Sequence, residues 1–333
     1  MTEARGRMLL VIASVIISCV AFEGALRLLG FTPWTYLAAD RNEPTTSEYD
    51  PVLGWRSKEG SFRVPPYDPA GQETDLTILR SGLRRSSPQQ HETRDDRPKI
   101  IFIGCSFTQG WAISDDETFA WKIQAAFPAF EVLNYGTNGY GTYQSLLLLK
   151  QVLPGLMSPR IVIYGFIDHH EDRNVATAEW LELLSSYSRR AHVYVPYATA
   201  DAEGKLVRHR PERYQPLPFR EHLALAALAE KALARIKASG RARQGRIVTQ
   251  QLMLEMSKVS AAHGADFAVA LFDYSDEAKA SYMDFFKING VRAVDCYVPR
   301  REDLVVPGEG HPNGKLNSLW AECIADYVRQ NMR

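Results

Sequence analysis

The chain has 333 residues, 45% hydrophobic and 23% charged, an ordinary globular composition with room for one large α/β domain and appendages. Its 39 basic residues balance 39 acidic ones, so no field of one sign is available to hold a polyanion, and nucleic acid is not an expected partner. The four cysteines form no Cys-x-x-Cys or Cys/His pattern, which disfavours structural zinc, although Cys296 and Cys323 could pair in an oxidising compartment.

The amino end has the pattern of a membrane-targeting segment. Arg5 and Arg7 precede an uncharged run from Met8 to Phe22; Glu23 interrupts it, and apolar sequence then resumes. A basic flank before an apolar core is typical of secretory signals and signal anchors. The run is short for a span of about 20 residues, and no clear small-x-small cleavage site follows it. We expect residues 1–30 to be an uncleaved anchor that leaves the rest of the chain outside the cytoplasm.

Two other interpretations of this segment stay open. The tripeptide Ile17-Ser18-Cys19 loosely resembles a lipoprotein cleavage signal, although apolar sequence continues beyond it. The run could also be a buried helix of a soluble protein.

The rest of the chain shows a change of character near Pro98. Residues 31–97 are rich in Pro, Gly, Ser and charge and predict an irregular or short-stranded segment. The strands predicted beyond it are Lys99–Gly104, Glu131–Tyr135, Arg160–Phe166, Asp266–Phe272 and Val291–Cys296. The predicted helices are Glu117–Phe127, Tyr143–Leu153, Glu221–Ser239, Ile247–His263, Asp276–Phe286 and Leu316–Arg329.

This alternation predicts one α/β domain over residues 98–333, a three-layer α/β/α sandwich with a parallel five-stranded sheet. The stretch at 175–220 interrupts the alternation and is expected to be an insertion over the carboxyl edge of the sheet. Ligands of such sheets bind at that edge, so chemistry is expected where the strands end.

Three blocks at predicted strand ends carry candidate chemistry. Ser106 follows the first strand in Gly104-Cys105-Ser106-Phe107-Thr108-Gln109-Gly110, where its hydroxyl could approach a substrate carbonyl. The second strand runs into Asn134-Tyr135-Gly136-Thr137-Asn138-Gly139-Tyr140-Gly141, whose glycines let backbone N–H groups approach a ligand. His311 stands before the last helix and could take the serine proton if Glu309, two residues earlier, orients its ring.

The order GCSFTQG, then NYGTNGYG, then GHPN before a terminal helix resembles the SGNH (GDSL-like) hydrolases over roughly Lys99 to Met332. The E-x-x-L-R-L-L-G and D-P-x-L-G-W segments are similar to membrane-anchored bacterial members. The resemblance implies a flavodoxin-like strand order and ester hydrolysis or acyl transfer without a cofactor. It places the nucleophile on Ser106, the oxyanion glycine on Gly139 and the catalytic histidine on His311.

The first and last blocks depart from the family's pattern. The Asp usual before the nucleophile is Cys105, which could itself be a nucleophile but is expected to pack under the loop as a small apolar side chain. The acid usual three residues before the histidine is replaced by Gly308. Glu309 is therefore the expected acid, at a spacing similar to the Asp-x-His of alginate-acetylating enzymes, and Asp303 is the alternative.

The block after the third strand departs further. The family's Gly-x-Asn-Asp is replaced by Gly165-Phe166-Ile167-Asp168-His169-His170-Glu171-Asp172-Arg173-Asn174, so the oxyanion-donating Asn is missing at its expected place. We expect His169 or His170 to donate instead, with Asn174 as a weaker candidate. A metal held by Asp168, His169 and His170 is disfavoured, because successive strand residues point to opposite faces.

The sequence therefore predicts a serine esterase, acyl hydrolase or O-acyltransferase, without cofactor or metal, that uses a Ser106–His311–Glu309 triad. The anchor suggests acyl esters, such as O-acetyl groups, on glycans or lipids of a periplasmic or cell-surface envelope. Three aromatic residues near the expected pocket could stack on sugar rings: Trp111, Tyr140 and Tyr143. The alternative is a catalytically degenerate SGNH module that binds envelope glycan or a membrane partner.

Overall fold

The computed structural model describes residues 2–37, 43–69, 71–90, 96–187 and 193–331. The chain divides into two compact units. The helical unit comprises Met1–Arg41, Thr177–Val193 and Arg213–Ser239. The sheet unit comprises Asn42–Ala176, Tyr194–Glu212 and Gly240–Arg333.

Secondary structure within the described residues alternates along most of the chain. The strands are β1 Ser47–Asp50, β2 Gly54–Ser57, β3 Gly60–Val64, β4 Thr74–Ile78, β5 Lys99–Gly104, β6 Glu131–Gly136, β7 Pro159–Ile167, β8 Tyr194–Ala200, β9 Leu206–Arg213, β10 Asp266–Asp273 and β11 Arg292–Asp295. The helices are α1 Thr2–Leu28, α2 Ser106–Gln109, α3 Phe119–Ala126, α4 Thr142–Val152, α5 His170–Val175, α6 Ala178–Tyr187, α7 Ala224–Lys237, α8 Gly245–Ala262, α9 Asp276–Asn289 and α10 Gly314–Asn331.

The central sheet has five parallel strands in the order β11-β10-β7-β5-β6. Counted along the chain from β5, this is the flavodoxin-like order. Strands β5 and β6 are buried over their whole length, because helices cover both faces of the sheet. Helices α4, α8 and α9 pack on one face, and α3 and α10 pack on the other. The predicted three-layer fold is confirmed.

The parallel strands bring their carboxyl ends to one edge of the sheet. From β6 to β11, the segments that lie along that edge are 136–141, 104–106, 167–170, 273–275 and 295–297. Beyond the last strand, a disulfide between Cys296 and Cys323 joins the end of β11 to α10, with the two Cα atoms 5.8 Å apart.

The segments outside this alternation form antiparallel hairpins and helices. Strands β1 with β2 and β3 with β4 form two hairpins in the stretch expected to be irregular or short-stranded. The expected insertion is divided: the hairpin of β8 and β9 lies mainly in the sheet unit, whereas α6 lies in the helical unit.

The helical unit contains α1, which over Ala4–Leu28 is long and apolar enough to cross a membrane. Most of its large apolar side chains are exposed, from Met8 to Phe22. A signal sequence near an N-terminus has the same length and composition, so this helix is suited to be either an anchor or a signal peptide.

Candidate active site

The turn after β5 presents Ser106 at the carboxyl edge of the sheet. Cys105 is extended and directly precedes α2, whose first residue is Ser106. The helix lasts a single turn, because Gly110 takes a left-handed conformation (φ 74°) and its N–H bonds the Ser106 carbonyl. The side chain of Ser106 thus sits at the start of a helix, where backbone N–H groups point toward it.

Glycines at three strand ends allow α2 to lie directly on the sheet edge. A Cβ at Gly104 or Gly165 would lie 2.2 Å from Thr108 Oγ1, and one at Gly136 would lie 2.2 Å from the Gln109 backbone nitrogen. No larger residue fits these places. Asn134 adds a bond from its side-chain amide to the Thr108 carbonyl oxygen (2.8 Å), so the nucleophile turn is fixed from two strands.

The loop that carries His311 folds back on itself before α10. The His311 carbonyl accepts the Val306 N–H at 2.7 Å, and Val305 bridges Pro312. Gly308 and Gly310 at the tip have φ values of 74° and 90°. A Cβ at Gly308 would lie 2.6 Å from the Tyr67 carbonyl oxygen, so that position has no room for an acidic side chain.

A continuous chain of hydrogen bonds joins the three predicted catalytic side chains. His311 Nε2 lies 2.8 Å from Ser106 Oγ, and His311 Nδ1 lies 2.7 and 2.8 Å from the two oxygens of Glu309. The His311 backbone N–H also donates to Glu309 (2.8 Å). A carboxylate at Nδ1 favours the tautomer in which Nε2 is free to accept the serine proton.

The alternative acid lies elsewhere. Asp303 is exposed, and both its oxygens accept bonds from Arg301 at 2.9 and 3.0 Å. The carboxylate that binds His311 Nδ1 is therefore Glu309, which is mostly buried, and not Asp303.

Aromatic rings pack against the imidazole of His311. Phe107 lies edge-on to His311 with ring centroids 5.5 Å apart, and Trp320 of α10 stacks on Phe107 at 5.9 Å. The imidazole keeps 25% of its side chain exposed, so a substrate can reach it. Neither aromatic residue was predicted from the sequence to lie at the site, although Trp320 lies on the apolar side of the predicted last helix.

The glycine-rich loop after β6 holds Gly139 in a left-handed conformation (φ 79°). Trp55 of β2 fixes the loop from the outside: its indole N–H donates to the Asn138 carbonyl (2.9 Å), and its own carbonyl accepts the Tyr140 hydroxyl (2.5 Å). Sequence reasoning missed the role of Trp55, although the D-P-x-L-G-W segment that contains it was the available signal.

His170 does not join this group. Its side chain is fully buried at the start of α5, and its Nδ1 lies 2.6 Å from the hydroxyl of Tyr164. Burial, together with the charge of Arg173, holds the pKa of His170 well below its ordinary value, so the ring is neutral. A ring enclosed in this way cannot reach an acyl group at Ser106, which removes His170 as an oxyanion donor.

The other two candidate oxyanion donors after β7, His169 and Asn174, differ in exposure. His169 is exposed and stays a candidate donor. Asn174 is buried: its amide oxygen accepts the Tyr143 N–H, and its amide nitrogen donates to Thr142 and Thr249. It therefore supports the start of α4 and is not available to a substrate. No group of three or more His, Cys, Asp or Glu side chains among the described residues is placed to hold a metal ion.

Three further expectations concern buried side chains. Cys105 is fully buried against the sheet, as expected for a packing residue. The aromatic residues proposed to stack on sugar rings are instead core residues, with exposures of 4% for Trp111, 0% for Tyr140 and 5% for Tyr143. That expectation is wrong, because their rings fill the space between the sheet and the segments around it.

Comparison with solved structures finds several similar chains. A putative lipolytic protein of the G-D-S-L family from Desulfitobacterium hafniense DCB-2 is similar at 13% identity, over 69% of this chain and 99% of that one, with a TM-score of 0.41. A member of the lipolytic protein G-D-S-L family from Veillonella parvula DSM 2008 is similar at 12% identity, over 70% of this chain and 99% of that one, with a TM-score of 0.42. The psychrotrophic esterase EstA from Pseudoalteromonas sp. is similar at 13% identity, over 71% of this chain and 98% of that one, with a TM-score of 0.41. No protein-family model and no curated protein matches the sequence. Identities and scores of this size transfer neither an activity nor a residue's role to this chain.

Proposed function

We propose that the protein is a cofactor-free serine esterase or acyl hydrolase, or an O-acyltransferase of the same mechanism. One observation carries the proposal: the unbroken hydrogen-bond chain from Ser106 through His311 to Glu309, at the carboxyl edge of the sheet. A hydroxyl bonded to an imidazole that is itself bonded to a carboxylate is the arrangement that activates serine.

The chemistry follows from this geometry. The Ser106 proton moves to His311 Nε2 as Oγ attacks the acyl carbon, and Glu309 stabilises the imidazolium that forms. The oxyanion is stabilised by the backbone N–H groups of Ser106 and Gly139, and His169 is the third donor in this proposal. His311 then returns the proton to the departing alcohol. Water, or an acceptor alcohol in a transferase, attacks the acyl-enzyme in the same way.

We place this chemistry outside the cytoplasm. Residues 1–30 form the membrane anchor in this proposal, and residues 98–333 form the hydrolase domain with its insertion at 175–220. Arg5 and Arg7 before the apolar helix favour a cytoplasmic N-terminus. The Cys296–Cys323 disulfide supports an oxidising compartment. The substrates we propose are acyl esters, including O-acetyl esters, of envelope glycans or lipids.

The direct test is hydrolysis of p-nitrophenyl acetate by the full chain in detergent micelles. Ser106→Ala should reduce kcat/KM by about 10⁴-fold or more, because the nucleophile is removed while the fold is kept. Ser61→Ala, at an exposed serine of β3, is the matched control and should keep the wild-type rate. Equal turnover by folded Ser106→Ala and wild-type protein would refute the proposed nucleophile.

The competing proposal is a degenerate module that binds envelope glycan or a membrane partner without catalysis. The burial of His170 favours it, because one of the two histidines expected to complete the oxyanion hole is then unavailable. A fluorophosphonate probe separates the two proposals. An activated Ser106 reacts covalently and is identified by peptide mapping, whereas a chain that stays unlabelled and inactive supports the binding module.

A further inference from the structure

Charged residues near the end of α1 bind the start of α7. The Glu23 carboxylate accepts the backbone N–H groups of Ala224 and Leu225, each at 2.9 Å. Arg27 donates to Glu23 (2.6 Å) and to the His222 carbonyl (2.7 Å). Glu23 thus caps α7 and satisfies N–H groups that have no partner within that helix.

The length of the apolar run in α1 determines the depth in a membrane at which α1 contacts α7. The uncharged stretch Met8–Phe22 spans roughly 22 Å as a helix, less than the hydrocarbon core of about 30 Å. If α1 crosses a membrane, Glu23 and the first turn of α7 therefore lie near the boundary between acyl chains and headgroups. The hydrogen bonds to the start of α7 compensate the charges of Glu23 and Arg27 at that boundary.

The outer side of α7 is apolar, unlike the outer side of an ordinary surface helix. Ala224, Ala227 and Glu230 are buried on the covered side. The opposite side carries a stripe at helical spacing, Leu225, Ala229, Ala232, Leu233 and Ile236. Leu233 is 46% exposed and Ile236 69% exposed. A helix with its outer face in water carries polar residues at such positions, so this stripe indicates a contact surface.

Aromatic residues contact the covered side of α7 and the turn before it. The Arg220 guanidinium lies 4.3 Å from the Trp34 ring centroid and bonds the Tyr36 hydroxyl at 3.0 Å, and the Lys231 ammonium lies 5.6 Å from Trp34. Trp34 and Tyr36 follow α1 in the chain. Both contact Arg220, before α7, and Trp34 also contacts Lys231, so the exposed Leu233 and Ile236 stay uncovered.

Apolar surface also surrounds the junction itself. Phe219, just before α7, is 68% exposed and has a φ of 63°, uncommon for a bulky residue. The last residues of α1 and those after it are exposed as well, Leu28 at 91%, Leu29 at 75% and Phe31 at 44%. Apolar side chains are therefore exposed on both sides of the junction, at the end of α1 and before α7.

We propose that the outer stripe of α7, with Phe219, lies in the interface of the membrane that α1 crosses. The occupant of this surface is a lipid bilayer with anionic headgroups, because exposed Arg235 and Lys237 flank the stripe in the last turn of α7. This inference rests on the proposed anchoring by α1. It gives the helical unit two membrane attachments, one spanning and one lying flat.

Site-directed spin labelling of the full chain in phosphatidylcholine–phosphatidylglycerol vesicles tests the proposal. Cys19→Ser removes the exposed free thiol, Cys105 is buried, and the other two cysteines form the disulfide. Nitroxides at Ala232→Cys and Ile236→Cys should favour oxygen over a nickel complex, at a depth of about 5–10 Å. A label at Arg235→Cys should be shallower, because depth should follow the helical period. Ile288→Cys in α9 is the reference for an exposed isoleucine.

A label at Val15→Cys separates failure of this inference from failure of the anchor. If Val15→Cys is deep and Ile236→Cys is as accessible to nickel as Ile288→Cys, the anchor stands and the docking of α7 is refuted. If Ile236→Cys is shielded from both reagents, protein covers the stripe, a second copy included, and the lipid occupant is refuted. If Val15→Cys lies in water, the anchoring proposal fails. Leu233→Glu should also move the label at Ile236→Cys toward water, whereas Ile288→Glu should not.

Discussion

Two segments at the same edge of the sheet contain similar residues and use them in opposite ways. The loop after β11 turns His311 toward Ser106, with Glu309 bound to the other side of the ring. The turn after β7 directs His170 inward, where Tyr164 binds its Nδ1. Both segments bring histidine and carboxylates to a strand end, so residue types alone do not distinguish a catalytic group from a core group.

The backbone explains the difference. Gly308 and Gly310 with positive φ values make a narrow loop that presents the ring of His311 outward. The turn after β7 passes directly into α5, whose first residue is His170, and the helix packs against α4, α8 and β8. A histidine at the start of a packed helix becomes part of the core, whereas one at the base of a glycine loop stays accessible.

The largest effect that tests this contrast is loss of His311. His311→Gln should reduce kcat/KM for p-nitrophenyl acetate by about 10⁴-fold or more, because no other described side chain bonds Ser106 as a base. His170→Gln should leave kcat/KM within about threefold of wild type, measured on protein that circular dichroism shows to be folded. A loss below about tenfold for His311→Gln, or a larger loss for His170→Gln, would reverse the assignment.

The next largest loss of activity is expected when the proposed acid, Glu309, is changed. Glu309→Gln should lower kcat by a factor on the order of 10³, because an amide no longer holds the imidazole in its productive tautomer or stabilises its charge. Asp303→Asn is the matched control, since it removes only an exposed pair with Arg301, and should stay near the wild-type rate. If Asp303→Asn proves the more damaging change, Glu309 is not the acid.

The sheet was predictable because continuous apolar runs leave a buried parallel strand few alternatives. The strand at Lys99–Gly104 has the predicted bounds, and the others differ by one or two residues. Helix starts were less predictable, because capping decides them. The helix predicted from Glu117 begins at Phe119, since Thr118 caps it, and the one predicted from Glu221 begins at Ala224, where Glu23 caps it. A cap from 200 residues away leaves no local signal.

The site was predictable in part for the same reason. Ser106 and His311 follow strands whose carboxyl ends share an edge, so their meeting follows from topology. Only the structure shows why position 308 holds no acid: a Cβ there would lie 2.6 Å from the Tyr67 carbonyl oxygen, so the proposed acid is Glu309. The direction of His170 was not predictable, because a turn after a strand does not fix which way the next side chains point.

A smaller effect is expected at Trp55, a positioning residue that does not touch the reacting atoms. Trp55→Phe keeps an aromatic ring but removes the N–H bond to Asn138, so the Gly139 loop loses one support. We expect kcat to fall about tenfold with little change in KM, because an oxyanion donor acts mainly in the transition state. Trp121→Phe in α3 is the control. A change in KM alone would instead place Trp55 in substrate binding.

The smallest effect is on stability and involves His170, the inward member of the compared pair. Its pKa is held well below the ordinary value of 6.5 by burial, so below about pH 6.5 the unfolded chain binds a proton that the folded protein excludes. The free energy of unfolding should therefore fall with falling pH, by up to about 1.4 kcal/mol per pH unit for this one proton.

Urea unfolding of the full chain in detergent at pH 7.5 and 5.5 measures this dependence of the free energy of unfolding on pH. His170→Gln should be less stable at pH 7.5, by about 1–3 kcal/mol, yet lose less on acidification. Equal slopes for His170→Gln and wild type would mean that His170 takes up a proton in the folded protein, and the contrast between the two segments would then lose its electrostatic basis.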